Sequence, residues 1–196
     1  MIKIILNINL LIYLVFFSLK VSAFSSSSYL IAKLAILSDD YVTASIKLKE
    51  AGEFDFENQM ITFVNADQLE NAFVIAKKII DNDSRNLEAW MVILTHSRIN
   101  NNLNFYKKFE EINDSKNFFI IDYLFYDNKR IQSNKKISNS FLSIFSDPSL
   151  NDLSKIENYK FVLFYLKLAS MIDPSNDQVY FYQAQFFQQL EKFKQS

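Results

Sequence analysis

The side chains that could do chemistry are few and scattered. His96 is the only histidine and there is no cysteine. One imidazole without thiolates or clustered carboxylates makes a poor metal site, so no metal is expected and His96 reads as a polar residue on the helix face that carries Trp90 and Ile93. The tight acidic pairs are Asp39-Asp40 and Glu110-Glu111. Paired carboxylates can do acid–base work when one is buried. These lie beside polar or loop residues, where helix capping and solvated surface are the expected roles. A single glycine, Gly52, excludes the Gly-rich loops that cradle phosphates, and neither Gly-x-Ser-x-Gly nor His-Glu-x-x-His occurs. Catalysis and cofactors are therefore not expected. Lys129-Arg130 and Lys135-Lys136 form a basic patch within the polar stretch Asp127 to Ser140. It reads either as a solvated face or as a contact for anionic lipid or an acidic partner.

The elements that must position these residues are helical. The chain has 196 residues, 49% hydrophobic, which is too apolar for disorder and long enough for a sizeable core. One glycine and two prolines, Pro148 and Pro174, leave almost no turn chemistry for an all-β fold. A net charge of -1 lacks the basic footprint of a nucleic-acid binder.

The N-terminus suggests export. Lys3 precedes an apolar run from Ile4 to Leu19, and Val21-Ser22-Ala23 supplies small residues at cleavage-type positions. The run is shorter than the roughly 20 residues a membrane helix needs. Residues 1–23 thus read as a secretory signal peptide and 24–196 as the mature domain, periplasmic after export. Lys20, directly after the apolar run, supports the alternative of an uncleaved anchor in the inner membrane.

Along the mature chain one spacing recurs. Ala44-x3-Leu48-x2-Ala51 is matched by Ala72-x3-Ala76-x2-Ile79 and by Val162-x3-Leu166-x2-Ala169. Loop residues follow each copy: Gly52, then Asp81-Asn82-Asp83-Ser84, then Asp173-Pro174-Ser175-Asn176. New apolar helices begin after the last two, one with Ala89, Trp90 and Ile93, the other with Tyr180, Ala184 and Phe187. Between Gln59 and Asn86 the unit is short, with a stunted first helix at Met60 to Ala66. Leu94 and Tyr106 stand where small residues are expected, which should splay that pair, and Phe118 to Ser146 is helical in pattern.

These spacings resemble the tetratricopeptide repeat, a helix pair of about 34 residues with small residues where its two helices touch. Tyr29 to Asn58 resembles one unit, with Ala32 and Ala44 as the small pair. Leu87 onward resembles the start of another, and Asp177 to Ser196 a further first helix. With its signal segment the chain is similar to exported repeat proteins of alphaproteobacterial type. The resemblance implies an all-α, right-handed α-solenoid of antiparallel helix pairs, about five units, some degenerate. It also implies a concave groove lined by first-helix residues: Tyr29, Lys33, Ile36, Met91, Thr95, Arg98, Phe181, Gln185 and Gln188. The implied function is non-enzymatic binding of a protein or peptide segment. A membrane-tethered scaffold and a cell-wall glycan-binding module are the alternatives. A solenoid normally closes with a polar-faced helix, so the apolar last helix marks the chain as an N-terminal piece of a longer array.

Overall fold

The structure, a computed structural model, describes residues 26–52, 55–113, 118–146 and 159–194. The segment 1–23 read as a signal peptide lies outside the described residues, as does Pro148. About 80% of the described residues are helical. The helices are α1 (residues 26–37), α2 (Tyr41–Ala51), α3 (Phe56–Asn65), α4 (Leu69–Asn82), α5 (Leu87–Ile99), α6 (Asn104–Asn113), α7 (Phe119–Phe125), α8 (Asn134–Ser146), α9 (Tyr159–Ile172) and α10 (Asp177–Lys194). This is the all-α helical-repeat architecture expected from the sequence. The chain divides into two compact units, one ending at Asp55 and the other beginning at Phe56.

Two kinds of turn alternate along the chain, and they explain the pairing. Between α1 and α2, between α3 and α4, and between α5 and α6, the chain reverses through one left-handed residue: Asp39 (φ 57°), Asp67 (φ 59°) and Asn101 (φ 51°). In each, the next amide donates back into the finished helix: Asp40 to the Ala35 carbonyl at 2.9 Å, Gln68 to Phe63 at 2.8 Å, Asn102 to Ser97 at 2.8 Å. That pattern satisfies carbonyls a helix end would otherwise strand, and Asp and Asn are the residues after glycine that best tolerate the conformation. The other turn is Asp-x-x-Asn. It joins α4 to α5 through Asp83 to Asn86, and α9 to α10 through Asp173 to Asn176. The Asp carboxylate accepts from the amide two residues on (Arg85 at 2.9 Å, Ser175 at 3.2 Å). Local polar chemistry of this kind stands in for glycine, with Pro174 at the second position of the α9–α10 turn.

In the first unit, Ala32 of α1 and Ala44 of α2 are both fully buried, as their small size requires for close helix approach. Ser28 near the start of α1 donates to Glu50 near the end of α2 at 3.2 Å, so the two run antiparallel. Asp40 caps α2 by accepting from the Thr43 amide at 3.0 Å, and these hydrogen bonds hold its carboxyl below the usual carboxylate range. Gly52, at φ 91°, ends α2 and donates to the Leu48 carbonyl.

The second unit packs its helices in neighbouring pairs, α3 on α4, α4 on α5, α5 on α6, α8 on α9 and α9 on α10. Rings carry the core from helix to helix. Trp90 of α5 meets Phe109 of α6 at 5.3 Å, Tyr106 meets Phe125 of α7 at 6.2 Å, and Phe125 meets Phe141 of α8 at 5.8 Å. Phe141 then meets Tyr165 of α9 at 6.3 Å. Edge-on or tilted aromatic pairs of this kind add roughly 0.5–1.5 kcal/mol each beyond the area they bury. Some packing goes beyond nearest neighbours: α7 lies against α5, and α9 lies against both α3 and α5. Lys167 of α9 reaches Asp67 in the α3–α4 turn at 2.6 Å, closing residues far apart in sequence.

Three local expectations are corrected. The helix expected to be stunted starts a turn earlier, at Phe56, and buries every residue from Gln59 to Asn65. The bulky Leu94 and Tyr106 do not open their pair, because both are buried and the Tyr106 hydroxyl donates to the Leu94 carbonyl at 3.2 Å. Phe118 to Ser146 is interrupted by a two-stranded hairpin, β1 (Tyr126–Asp127) and β2 (Arg130–Ile131). Its two-residue turn puts Asn128 (φ 50°) and Lys129 (φ 64°) in the left-handed region, so a hairpin forms here without glycine.

Candidate functional site

Helices α5 and α10 are the same element used twice. Each follows an Asp-x-x-Asn turn, and four residues past the Asn each carries a large aromatic, Trp90 or Tyr180. Both aromatics bond the same place in their own turn: Trp90 Nε1 donates to the Ser84 carbonyl at 3.1 Å, and the Tyr180 hydroxyl to the Pro174 carbonyl at 3.1 Å. In this register Met91, Thr95 and Arg98 of α5 correspond to Phe181, Gln185 and Gln188 of α10. The residues expected to line a groove therefore do occupy matching helix positions.

Their surroundings differ completely. Helix α5 is packed by α4, α6, α7 and α9, so every residue from Ala89 to Thr95 is buried. Met91 and Thr95 are thus core residues and do not line an open groove, a correction that follows from the four helices packed on α5. Arg98 lies at the edge of that packing and donates from Nε to Asn134 Oδ1 of α8 at 2.7 Å. Helix α10 packs on α9 and buries only Val179 among its side chains described through Gln188. Phe181, at 61% exposure, Gln185 and Gln188 follow one another along one exposed stripe. Beside it runs a second stripe, Tyr180, Ala184 and Phe187, also exposed. Tyr29, Lys33 and Ile36 sit half-buried on α1 in the first unit. There Lys33 Nζ lies 3.4 Å from Asp55 and over the Tyr29 ring. The nine residues therefore split into an α1 set, a mostly buried α5 set and an open α10 set.

What covers the Tyr180 stripe's counterpart in α5 is visible. Helix α6 lies there, with Phe109 against Trp90 and the Tyr106 hydroxyl on the Leu94 carbonyl. The α10 stripe presents the same kind of surface: an aromatic, a small residue at Ala184, and a second aromatic. Such a surface accepts an amphipathic helix with aromatic side chains one turn apart.

The remaining chemistry-bearing groups serve the fold. His96 has its Nε2 at 2.9 and 3.0 Å from the two Glu70 oxygens, and its ring stacks on Phe73 at 3.8 Å with 7° between planes. It ties α5 to α4. Among the described residues no group of three His, Cys, Asp or Glu side chains could hold a metal ion. Glu88, in the first turn of α5, is half-buried, and burial raises its carboxyl above the usual range, with repulsion from Glu57 adding to the effect and a backbone hydrogen bond opposing it. Asn86, two residues earlier, caps α5 by accepting from the Ala89 amide at 2.9 Å and donates to Glu57 at 2.7 Å. No cue in the sequence set Glu88 apart, because its burial comes from elements distant along the chain.

Fold and surface together define a helical-repeat protein with one well-exposed aromatic and amide face. Comparison with protein-family models, curated proteins and solved structures finds no match. Among the described residues no helix is long and apolar enough to cross a membrane.

Proposed function

We propose that this chain is a non-enzymatic scaffold that binds a protein or peptide segment, and that it does so through α10. The observation behind this reading is the equivalence of α5 and α10. In α5 the Trp90–Leu94 side is covered by the amphipathic helix α6, whereas its counterpart, Tyr180–Ala184–Phe187, is open. The bound segment is an amphipathic helix with two aromatic residues one turn apart. Phe181, Gln185 and Gln188 flank the seat and set its polar rim. The tetratricopeptide-like spacing of the sequence supports this role. The Lys3, Ile4 to Leu19 and Val21-Ser22-Ala23 pattern supports export to the periplasm, which N-terminal sequencing of the secreted protein tests through a start at Phe24.

A fluorescent peptide carrying the α6 sequence, Asn104 to Asn113, is a direct probe of the seat. Saturable binding to the full chain is expected, lost on Ala184→Glu and retained on Glu70→Gln, which lies on α4. Absence of saturable binding, or binding indifferent to Ala184→Glu, overturns the reading. Ala184 is exposed, so the substitution leaves the fold intact.

A further inference from the structure

A second surface, on α7, the hairpin and α8, stands apart from the α10 seat. The strands of the hairpin pair Tyr126 with Ile131 and Asp127 with Arg130. Alternation then puts Tyr126 and Ile131 on the inner side, where the Tyr126 ring lies 5.9 Å from Tyr106, and Asp127 with Arg130 on the outer side. Lys129 is at the tip. Lys136, in the first turn of α8, comes over the same outer side and meets Asp127 at 3.1 Å. Lys135 is exposed beside it, and Arg98 is held at the first residue of α8 through Asn134. Lys129, Arg130, Lys135 and Lys136 are thus carried by the hairpin and the start of α8, with Arg98 tied to the same helix end. The carboxylates nearby are Asp127, Asp122 and, on α6, Glu110, which interacts with Tyr126. Among the described residues no carboxylate forms an ion pair with Lys129, Arg130 or Lys135.

The arrangement works against local stability. Lys129 occupies a left-handed turn position that favours Gly or Asn. Lys135 and Lys136 stand at the positive end of a helix whose first turn has no acid. Lys136 is offset by Asp127, but Lys129 and Lys135 break these local rules with no carboxylate beside them, the kind of departure expected where charge serves another purpose.

Aromatic surface continues the cationic strip. Seven residues along α8 from Lys136, on the same helix face and about 10 Å away, Ser143 meets the Tyr123 hydroxyl of α7 at 2.7 Å. Phe119, one turn before Tyr123 and on the same face of α7, is 74% exposed, and Tyr123 is 49% exposed. Cations beside solvent-facing Phe and Tyr are the combination that an anionic bilayer surface selects. Lys and Arg meet the headgroups, while aromatic rings settle at headgroup depth. We infer that the hairpin, the start of α8 and the exposed face of α7 form a docking surface for an anionic lipid membrane. Asp127 orients Lys136, and Asp122, the other carboxylate on these elements, is occupied by Asn113 at 2.7 Å.

The test is flotation of the full chain with phosphatidylcholine vesicles and with vesicles that also contain phosphatidylglycerol. The readout is the ratio of the two partition coefficients, and the combined variant Lys129→Asn, Arg130→Gln, Lys135→Gln, Lys136→Gln carries the question. Each cation removed is expected to lower that ratio about fivefold in low salt, with the N-terminal segment present equally in both proteins. Circular dichroism confirms that the exposed substitutions leave the helices in place. Phe119→Ser is expected to weaken vesicle binding several-fold without changing its salt dependence. A combined variant that keeps the wild-type ratio overturns the inference. So does binding of poly-glutamate through the same four cations when the vesicles are ignored, since the surface would then serve an acidic polypeptide.

Discussion

Helices α5 and α10 are entered by the same turn, anchored by the same kind of aromatic-to-turn hydrogen bond and built on the same register, yet one is the centre of the second unit and the other its margin. Trp90 is fully buried where Tyr180 is 47% exposed. The Asn residues that end the two turns also diverge. Asn86 caps its helix, while Asn176 is buried and donates to Ser138 Oγ at 2.9 Å and Asn139 Oδ1 at 2.8 Å, with Ser138 in turn donating to the Ala169 carbonyl. The lesson is that a helical repeat assigns each copy a geometry but not a burial. Burial depends on how many other helices arrive, and α7 and α9 give α5 two neighbours more than a simple row would.

The comparison can be broken most forcefully at the aromatic pair. Trp90→Ala should cost about 3–5 kcal/mol in chemical denaturation, whereas Tyr180→Ala, at the matching position, should stay within about 0.5 kcal/mol. Similar losses at both sites would mean that α10 is buried in solution. Next in size is Asn176→Ala, which strips Ser138 and Asn139 of a buried donor and should cost about 1–3 kcal/mol. Asn86→Ala removes a cap, at about 1 kcal/mol. If the order of these two reverses, the α8–α10 lock is weaker than its geometry implies.

A pH experiment sharpens the contrast further. Position 88 in α5 is a half-buried Glu, and its counterpart in α10 is the exposed Gln178. Because the folded pKa of Glu88 is raised, its contribution to stability is fully present below the ordinary carboxylate range and is lost as pH rises through the folded value. Glu88→Gln should therefore raise Tm at neutral pH, with the gain vanishing in acid. A constant gain across pH would show that the carboxyl is solvated. The smallest effect is expected at Lys167→Ala. The Lys167–Asp67 contact joins one side chain of low exposure to one that is mostly solvated, so its loss should cost about 0–1 kcal/mol and less in high salt. A larger loss would make the ion pair, rather than apolar packing, the reason α9 returns to α3.

Much of the local order was legible. The recurring Ala-x3-Leu-x2-Ala spacing located α2, α4 and α9, and Asp40 and Gly52 marked a helix start and stop because capping is a short-range property. The polar loops after Ile79 and Ala169 announced the helices of Trp90 and Tyr180, although the Asp-x-x-Asn form of both turns emerged only in the structure. Legibility ended where contacts became long-range. Met91 and Thr95 look as available for a groove as Phe181 and Gln185, and only the number of helices packed on α5 and on α10 separates them. The hairpin escaped notice because Asn128 and Lys129 take a conformation usually signalled by glycine. The exposed strip from Lys129 to Phe119 escaped because its parts belong to three elements.

The sequence by itself determined that this protein is helical, that its helices come in pairs, and that polar residues rather than glycines join most of them. These properties follow from periodic apolar positions and from side chains bonding their own backbone, interactions that span a few residues. Tertiary structure alone decided which copy of the repeated helix became core and which stayed open. It also decided that Glu88 is half-buried and that Arg98 is tied to the start of α8, which carries Lys135 and Lys136. Those outcomes rest on packing between segments far apart in the chain, where apolar burial is non-directional and no local pattern records which partner arrives.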